Sequence, residues 1–407
     1  MLPYLTYLQI FASAVTSIVL FFLPNVITYK AMAALIAIIS AIVLCYYLLF
    51  KRFNASKLFA SGLACCIILA LYVLTYNFYN YPSEKYNSFL LVFGGQVFPT
   101  MLCAAVVSQF GLVQYKIKQL APLVSFTFTI IAFIAGFFPN SATSGGYVST
   151  DYGLNYQSTS YLAAYAASFS FYYLISYNDI SWSSIFKKKY IKITLILSII
   201  INFLTILVVG GRGGLALFLI QSMFVLYVLN RKKTVTTNQI FKYLGLAFVV
   251  ICMIAISLSF IENLPLKTNG IERIIATIEE GDQNGRDILR EKAITCFYNS
   301  PVIGHGIGSV FYEIGEYTHN CITDALVEIG LVGCLIYILL LLNTWIKGIK
   351  LIKTDMSNSL WLIIFLNGFV MSLFSGYYIA QLPICWSIAF ILCYNKAYIK
   401  SRTYTHY

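Results

Sequence analysis

The chain has 407 residues, of which 59% are apolar, 16% aromatic and only 10% charged, and its mean hydropathy is +0.79. Soluble domains contain about 45–50% apolar and about 25% charged residues, so this composition excludes a soluble globular protein. The net charge of +12 would suit a nucleic-acid-binding protein. In so apolar a chain, however, it indicates positive loops held on the cytoplasmic side, and we expect no nucleic acid partner.

Apolar segments long enough to cross a bilayer recur along the whole sequence. A span needs about 20 apolar residues, and twelve segments meet this requirement: about 4–23, 31–50, 58–78, 89–110, 119–138, 159–177, 193–210, 214–230, 243–261, 321–345, 358–378 and 380–395. The first has no Lys or Arg before its apolar run, so we expect an uncleaved span rather than a signal peptide. The sequence therefore predicts an all-α polytopic membrane protein of about twelve transmembrane helices.

Positive residues are distributed unevenly between the two sides of these spans. With the N-terminus inside, 19 of the 27 Lys and Arg residues fall in inner connections, and five of the other eight fall in one long outer loop. This separation predicts that both termini are cytoplasmic. It divides the chain into spans one to nine (1–261), a long outer loop (262–320), and spans ten to twelve with the C-terminus (321–407).

Neither a disulfide framework nor a metal site is predicted. The ten cysteines follow no Cys-x-x-Cys or Cys/His ligand spacing. The outer loops also contain no compact Asp-x-Asp pair. We therefore expect no metal and no cofactor.

The first polar signal in chain order lies at the outer mouth of the sixth predicted span. It consists of Asn155, Tyr156 and Gln157. Tyr rings can stack on sugar rings, and amide groups can bond sugar hydroxyls. Interfacial anchoring by Tyr and capping by the polar residues would explain the same pattern, and the sequence leaves both interpretations open.

The second signal is Arg212, which lies between two pairs of glycines at the outer turn between the seventh and eighth spans. Glycines allow a backbone to approach a ligand closely, and Arg offers five donors with a permanent charge. This combination suits a lipid-linked phosphate or pyrophosphate at the interface. An Arg that reaches out to lipid headgroups is the alternative.

The long outer loop carries helical patterns of its own. Isoleucines at helical spacing predict a short amphipathic helix over 271–280, and a second helix from Asp287 through Phe297 ends at Ser300-Pro301. Arg286 and Arg290 are spaced i, i+4, which can grip two oxygens of a phosphate group, and Lys292 follows. A solvated helix with local acidic partners would give the same spacing.

The end of this loop holds a glycine-rich run over 301–308 and then His319, at the outer mouth of the tenth span. The run could cradle a phosphate or simply turn the chain tightly. At the membrane boundary a neutral His can accept a proton, although a local hydrogen-bonding role is equally open. Asn320, Asp324 and Glu328 form a polar stripe into the membrane, where carboxylates indicate function.

Together these motifs resemble the O-antigen ligase and O-antigen polymerase superfamily over residues 195–345. Those that carry the resemblance are Gly211-Arg212-Gly213; Gly285-Arg286-Asp287-Ile288-Leu289 with Pro301-Val302-Ile303-Gly304-His305-Gly306; and His319-Asn320 followed by Gly330-Leu331-Val332-Gly333. The commoner family form has Ser in place of Gly211.

The resemblance implies an inverting, metal-independent glycosyltransferase of the GT-C type in the bacterial inner membrane, with its active site facing the periplasm. Its substrates would be undecaprenyl-pyrophosphate-linked oligosaccharide repeat units, and a chain-length regulator and a flippase would be partners beside the lipid bilayer. By motif, Arg212 and Arg286 would bind the pyrophosphate and His319 would be the general base. The expected substrate-binding set, which rests partly on spacing, is Arg290, Lys292, Asn320, Asp324, Asn155, Tyr156 and Gln157.

Polymerase and ligase share this donor and differ in acceptor, which is another repeat unit or lipid A-core. The stretch 155–157 resembles a region of the polymerases, which favours that activity over the ligase. A flippase for the same lipids is an alternative of another class. Transporters tend to have repeated halves and polar sites near the bilayer midplane, whereas here the polar motifs gather at the outer edge.

Overall fold

The structure, a computed structural model, describes residues 2–22, 29–50, 96–137, 155–230, 286–379 and 381–394. All regular structure within these ranges is helical, which confirms the predicted all-α class. The spans predicted at about 58–78 and 243–261, and the amphipathic helix predicted over 271–280, lie outside the described residues.

Thirteen α-helices are numbered here along the described part of the chain. They are α1 Leu2–Ile10, α2 Ala12–Phe22, α3 Tyr29–Phe50, α4 Phe98–Val107, α5 Gly111–Phe137, α6 Tyr156–Ser176, α7 Lys189–Val209, α8 Arg212–Asn230, α9 Arg286–Asn299, α10 Val310–Glu313, α11 Cys321–Thr354, α12 Ser359–Phe374 and α13 Leu382–Cys393, with a 3-10 turn over Met356–Asn358.

Five helical segments of the described part are long and apolar enough to cross a membrane. They are Gly111–Phe137, Lys189–Val209, Arg212–Asn230, Cys321–Thr354 and Met356–Phe374. The helices α4 and α13 are apolar but shorter. These helices fit a multi-pass membrane protein, and the total of about twelve spans stays a prediction.

Two predicted elements differ in detail from the structure. The first predicted span is interrupted by a turn at Phe11, between α1 and α2. The helix α5 begins at Gly111, several residues before the predicted start at about 119, and so includes Lys118. Lys118 is buried, and its Nζ lies 5.7 Å from the centre of the Trp361 ring. The aromatic ring stabilises a charge that the sequence pattern assigned to a loop.

The chain divides into two compact units. The first comprises Met1–Leu120, Gln283–Thr354 and Leu360–Tyr407. Aromatic rings form part of its core, where Phe390 lies 4.2 Å from Trp361 and 4.8 Å from Trp386 between ring centres. Helices pack closely where glycine leaves room, as at Gly368 against the backbone of Ile384.

The second unit comprises Ala121–Asp282 and Asp355–Ser359. Its helix α6 is buried along most of its length and packs against α7 and α8. Many of its side chains are Ala and Ser, and small residues let helices approach closely within a membrane. A line of hydroxyl groups joins α5, α6 and α7. The Oγ of Ser170 lies 2.7 Å from the Oγ of Ser125 and 2.7 Å from the Oγ of Ser198.

Candidate functional site

Two polar side chains of the predicted stripe form hydrogen bonds at the N-terminus of α11. The Oδ1 of Asn320 accepts hydrogen bonds from the backbone N–H groups of Ile322 (3.0 Å) and Thr323 (3.3 Å) and so caps the helix. Asp324, one turn on, is fully buried, and its Oδ1 accepts from the backbone N–H and the hydroxyl of Thr318, both at 2.8 Å. The stripe therefore fixes the chain on both sides of His319.

His319 has an unusual backbone conformation. Its φ is 60°, and it is the only non-glycine residue with positive φ in the described part of the chain. Such a conformation costs a residue about 1–3 kcal/mol and persists where its surroundings impose it. The Thr318–Asp324 bonds before it and the Asn320 cap after it impose it here.

The imidazole of His319 is held close to two neighbouring side chains. The rings of His319 and Tyr317 are 4.4 Å apart, and Nε2 lies 3.7 Å from Oε1 of Glu316. The side chain keeps 17% exposure, so the ring is positioned yet reachable. Tyr317 in turn donates to the carbonyl of Ser375 at 3.3 Å.

The pKa of His319 is lowered to about 4. Burial is the largest cause, followed by the positive charge of Arg286, while the carbonyl of Ser375 acts in the opposite direction. The ring is therefore neutral at pH 7 and able to accept a proton. Arg286 therefore lies within range of an electrostatic effect on His319, in the same unit of the chain.

Arg286 is half-buried and begins α9, which ends at Asn299 as the Ser300-Pro301 signal predicts. The helix packs on α11, and its Ala293 is fully buried. Arg290 and Lys292 are exposed on α9. The planar guanidinium of Arg286 suits a phosphate group.

Glu328 is a buried acid of this unit that the predicted site did not include. Its carboxylate accepts hydrogen bonds from the backbone N–H of Gly308 (2.9 Å) and from the hydroxyls of Tyr377 (2.7 Å) and Tyr378 (3.0 Å). The Tyr377 ring lies 6.3 Å from the Tyr317 ring, which contacts His319. The signal for Glu328 was present in the sequence, as a carboxylate within an apolar span.

The glycine-rich run over 301–308 uses its N–H groups inside the protein. The backbone N–H of His305 donates to the carbonyl of Val327 (3.0 Å), and the backbone N–H of Gly306 donates to the carbonyl of Glu328 (2.8 Å). Gly304, Gly306 and Gly308 all have positive φ. Of the two interpretations left open by the sequence, these contacts support tight turning rather than a phosphate nest.

Arg212 belongs to the second unit, where it begins α8 and is half-buried. The hydroxyl of Ser160 donates to the carbonyl of Gly211 at 3.2 Å, and a Cβ at Gly211 or Gly214 would lie 2.0 Å from that hydroxyl oxygen. The glycines around Arg212 therefore let α6 approach α8 closely.

The start of α6 lies beside this turn. Asn155 caps α6, since its Oδ1 accepts from the Ser158 N–H at 2.8 Å, and Gln157 donates to the Tyr156 hydroxyl at 3.1 Å. The Tyr156 carbonyl is 3.4 Å from the position of a Cβ on Gly211. The structure thus brings the predicted 155–157 group close to the Arg212 turn.

The residues that the structure describes contain no group of three or more His, Cys, Asp or Glu side chains that could hold a metal ion.

Residues 193–338 match the family model described as O-Antigen ligase. This segment contains Arg212, Arg286 and His319, and the match confirms the resemblance to the O-antigen ligase/polymerase superfamily. A comparison with curated proteins finds no match. The family supports an enzyme of the ligase/polymerase type, a transferase of lipopolysaccharide biosynthesis that acts in a membrane on lipid-linked substrates.

Proposed function

We propose that this protein is an O-antigen polymerase of the GT-C type. It would transfer the growing glycan from undecaprenyl pyrophosphate to a sugar hydroxyl of another lipid-linked repeat unit, at the periplasmic face of the inner membrane. The observation that carries this proposal is His319, held with positive φ at the start of a candidate membrane-spanning helix and kept neutral by burial and by the positive charge of Arg286.

His319 acts as the general base in this proposal. Its neutral ring takes the proton of the acceptor hydroxyl as the oxygen attacks the anomeric carbon of the donor. The bond from that carbon to the pyrophosphate oxygen breaks on the opposite face, so the configuration inverts. A positioned base typically contributes about 10²–10⁴-fold to a rate.

Arg286 binds the departing pyrophosphate and stabilises its charge, often the largest catalytic contribution. The same charge lowers the pKa of His319 in the free protein. When the pyrophosphate anion binds, it offsets the charge of Arg286, and the pKa of His319 rises toward neutral pH. The base therefore becomes stronger when the donor is in place.

Arg212 is the second proposed pyrophosphate ligand, Arg290 and Lys292 complete the phosphate contacts, and Asn320 and Asp324 belong to the proposed site around His319. Because Asn320 caps α11 and Asp324 is bonded to Thr318, these two contribute mainly by placing His319. Residues 155–157 favour polymerase over ligase because they resemble a region of the polymerases. Tyr156 and Gln157 are half-buried at the start of α6, and a Tyr ring and a Gln amide suit a sugar.

The proposed setting is a chain of about twelve spans with both termini cytoplasmic and residues 262–320 as a periplasmic loop between 1–261 and 321–407. A chain-length regulator and a flippase act as partners.

The lipopolysaccharide ladder of a deletion strain tests the choice of acceptor. Loss of a polymerase leaves core bearing a single repeat unit, whereas loss of a ligase leaves bare core and lipid-linked polymer. The strain is then complemented with His319→Ala, Arg212→Ala and a control, His305→Ala, which removes the histidine of the glycine-rich run. We expect only the control to restore the ladder, with all three variants present in the membrane.

Purified protein in liposomes tests the class of activity. We expect it to extend lipid-linked repeat units without another protein. Translocation of those lipids with no glycosyl transfer would instead identify a flippase and contradict the proposal.

A further inference from the structure

Residues 301–304, which we name the tip, lie in the connection between α9 and α10. The tip is not helical, yet its backbone is paired with α11. The backbone N–H of Leu331 donates to the carbonyl of Pro301 at 2.8 Å, and that of Val332 donates to the carbonyl of Val302 at 3.2 Å. Just after the tip, the backbone N–H of His305 donates to the carbonyl of Val327. These groups of α11 are available because Gly330, with φ 62° and ψ −170°, interrupts its helix.

The position of the tip along α11 gives its depth in the bilayer. The exposed large apolar side chains of α11 run from Leu331 to Ile346, and Lys347 follows. A hydrocarbon layer of about 30 Å takes about 20 helical residues, which, counted back from Lys347, puts the far boundary near residue 327. The partners of the tip at 331 and 332 therefore lie about 6–8 Å inside it.

The side chains of the tip continue the lipid-facing surface of α11. Val302 is 59% exposed and Ile303 is 60% exposed, beside Leu331 at 51% and Val332 at 50%. No Lys, Arg, Asp or Glu occurs from residue 293 to 312. Tyr298, at the end of α9, is 74% exposed, and Tyr is the residue type that concentrates at membrane interfaces.

We propose that the tip is inserted into the hydrocarbon of the leaflet at the Cys321 end of α11, with Val302 and Ile303 in contact with lipid acyl chains. Irregular backbone is tolerated at this depth only where its polar groups are paired within the protein. The interrupted helix pairs the carbonyls of Pro301 and Val302, and Ser300 pairs with the N–H and the carbonyl of Gly304. The inserted tip fixes the height of the connection that leads to His319. The proposal rests on α11 as a span and not on the reaction.

Fluorescence quenching in the full-length protein tests the insertion. An environment-sensitive fluorescent amino acid is placed at Ile303 and, separately, at Val302, and each protein is reconstituted in nanodiscs. Lipids brominated near the headgroup or near the chain end act as quenchers from the bilayer, and iodide acts from water. Leu339, exposed in the middle of α11, is the bilayer control, and Glu291, exposed on α9, is the aqueous control.

We expect both tip positions to be quenched by bromine about as strongly as Leu339, with the maximum for bromine near the headgroup, and to be protected from iodide. Iodide quenching equal to that at Glu291 would place the tip in water and overturn the proposal. Protection from both quenchers would mean that protein covers the tip, which overturns it equally. Elution as a monodisperse species verifies that each labelled protein is folded, and the two positions are independent of each other.

Discussion

His319 combines a forced backbone conformation with a depressed pKa, and both follow from its immediate neighbours. Thr318 and Asn320 are each tied to the first turn of α11, so His319 between them has no freedom to relax its positive φ. Burial and Arg286 keep its ring neutral. A base held in one orientation without a proton is ready to act before substrate arrives.

The pH dependence of the reaction follows from this pKa. A catalytic base must be neutral, so kcat/KM, which reports the free enzyme, falls as the pH drops through the pKa of His319. That pKa is about 4 instead of the ordinary 6.5, so we expect kcat/KM to stay level from pH 7 down to about pH 5. The decrease of kcat at acidic pH occurs at a higher pH than that of kcat/KM, because bound pyrophosphate offsets the positive charge of Arg286. If kcat and kcat/KM both fell at the same pH, near 6.5, the proposed effect of Arg286 on the pKa of His319 would be contradicted.

Glu328 is the second residue whose contacts lead to a prediction. Glu328→Ala leaves the N–H of Gly308 and the hydroxyls of Tyr377 and Tyr378 without their shared acceptor. Each unsatisfied buried donor costs about 1–3 kcal/mol. We expect a large drop in the thermal midpoint in detergent, and a smaller one for the control Tyr378→Phe, which removes one hydroxyl. Equal drops would show that the carboxylate does not organise this cluster.

At the scale of helices, glycines decide where two backbones can meet. A Cβ on Gly330 would lie 2.4 Å from the carbonyl oxygen of Val302. Gly330→Ala therefore adds a collision with fixed backbone to the strain of positive φ. Gly315 also has positive φ, 97°, but no atom lies within 4 Å of its would-be Cβ.

These two glycines form a matched pair. Gly315→Ala carries only the conformational cost, about 1–2 kcal/mol, whereas Gly330→Ala also separates residues 301–304 from α11. We expect Gly330→Ala to lower the thermal midpoint several times more than Gly315→Ala, and comparable shifts would argue against close backbone pairing.

The contact of α6 with the Arg212 turn gives a prediction by compensation. Ala at Gly211 would collide with the Ser160 side chain, at 2.0 Å from Oγ and 2.4 Å from Cβ, whereas Ala at Gly214 would also lie 2.7 Å from the Ser160 backbone. We expect Ser160→Gly to restore the folded yield of Gly211→Ala but not that of Gly214→Ala. Rescue of both variants would contradict this difference between side-chain and backbone contacts. The same crowding gives a physical reason why this chain has Gly where the commoner family form has Ser.

At the scale of the whole molecule, the charge distribution predicts sidedness. With 19 of 27 positive residues in the predicted inner connections, a fluorescent protein fused after Tyr407 should fold and fluoresce in the cytoplasm. Alkaline phosphatase inserted at Gly315 should be active, because it requires an oxidising compartment to form its disulfides. A dark fluorescent protein after Tyr407 together with an inactive alkaline phosphatase at Gly315 would indicate the opposite topology.

Much of the described helical structure follows from the sequence, since apolar runs and the Ser300-Pro301 stop locate most helices within a few residues. The polar residues at the membrane boundary were also visible. The pairing of residues 301–306 with 327–332 was not, because backbone hydrogen bonds leave no side-chain pattern beyond glycines. The partners of Glu328 were equally hidden, since Tyr377 and Tyr378 lie about 50 residues away along the chain.

The interrupted helix at Gly330 also bears on how the protein enters the membrane during synthesis. Residues 301–304 leave the ribosome before 327–332, so the partners of their carbonyl groups do not yet exist when they emerge. An unpaired backbone group in hydrocarbon costs several kcal/mol. We therefore expect these residues to remain in water until the first turns of α11 are synthesised. The two segments then enter the bilayer together, in one coupled step.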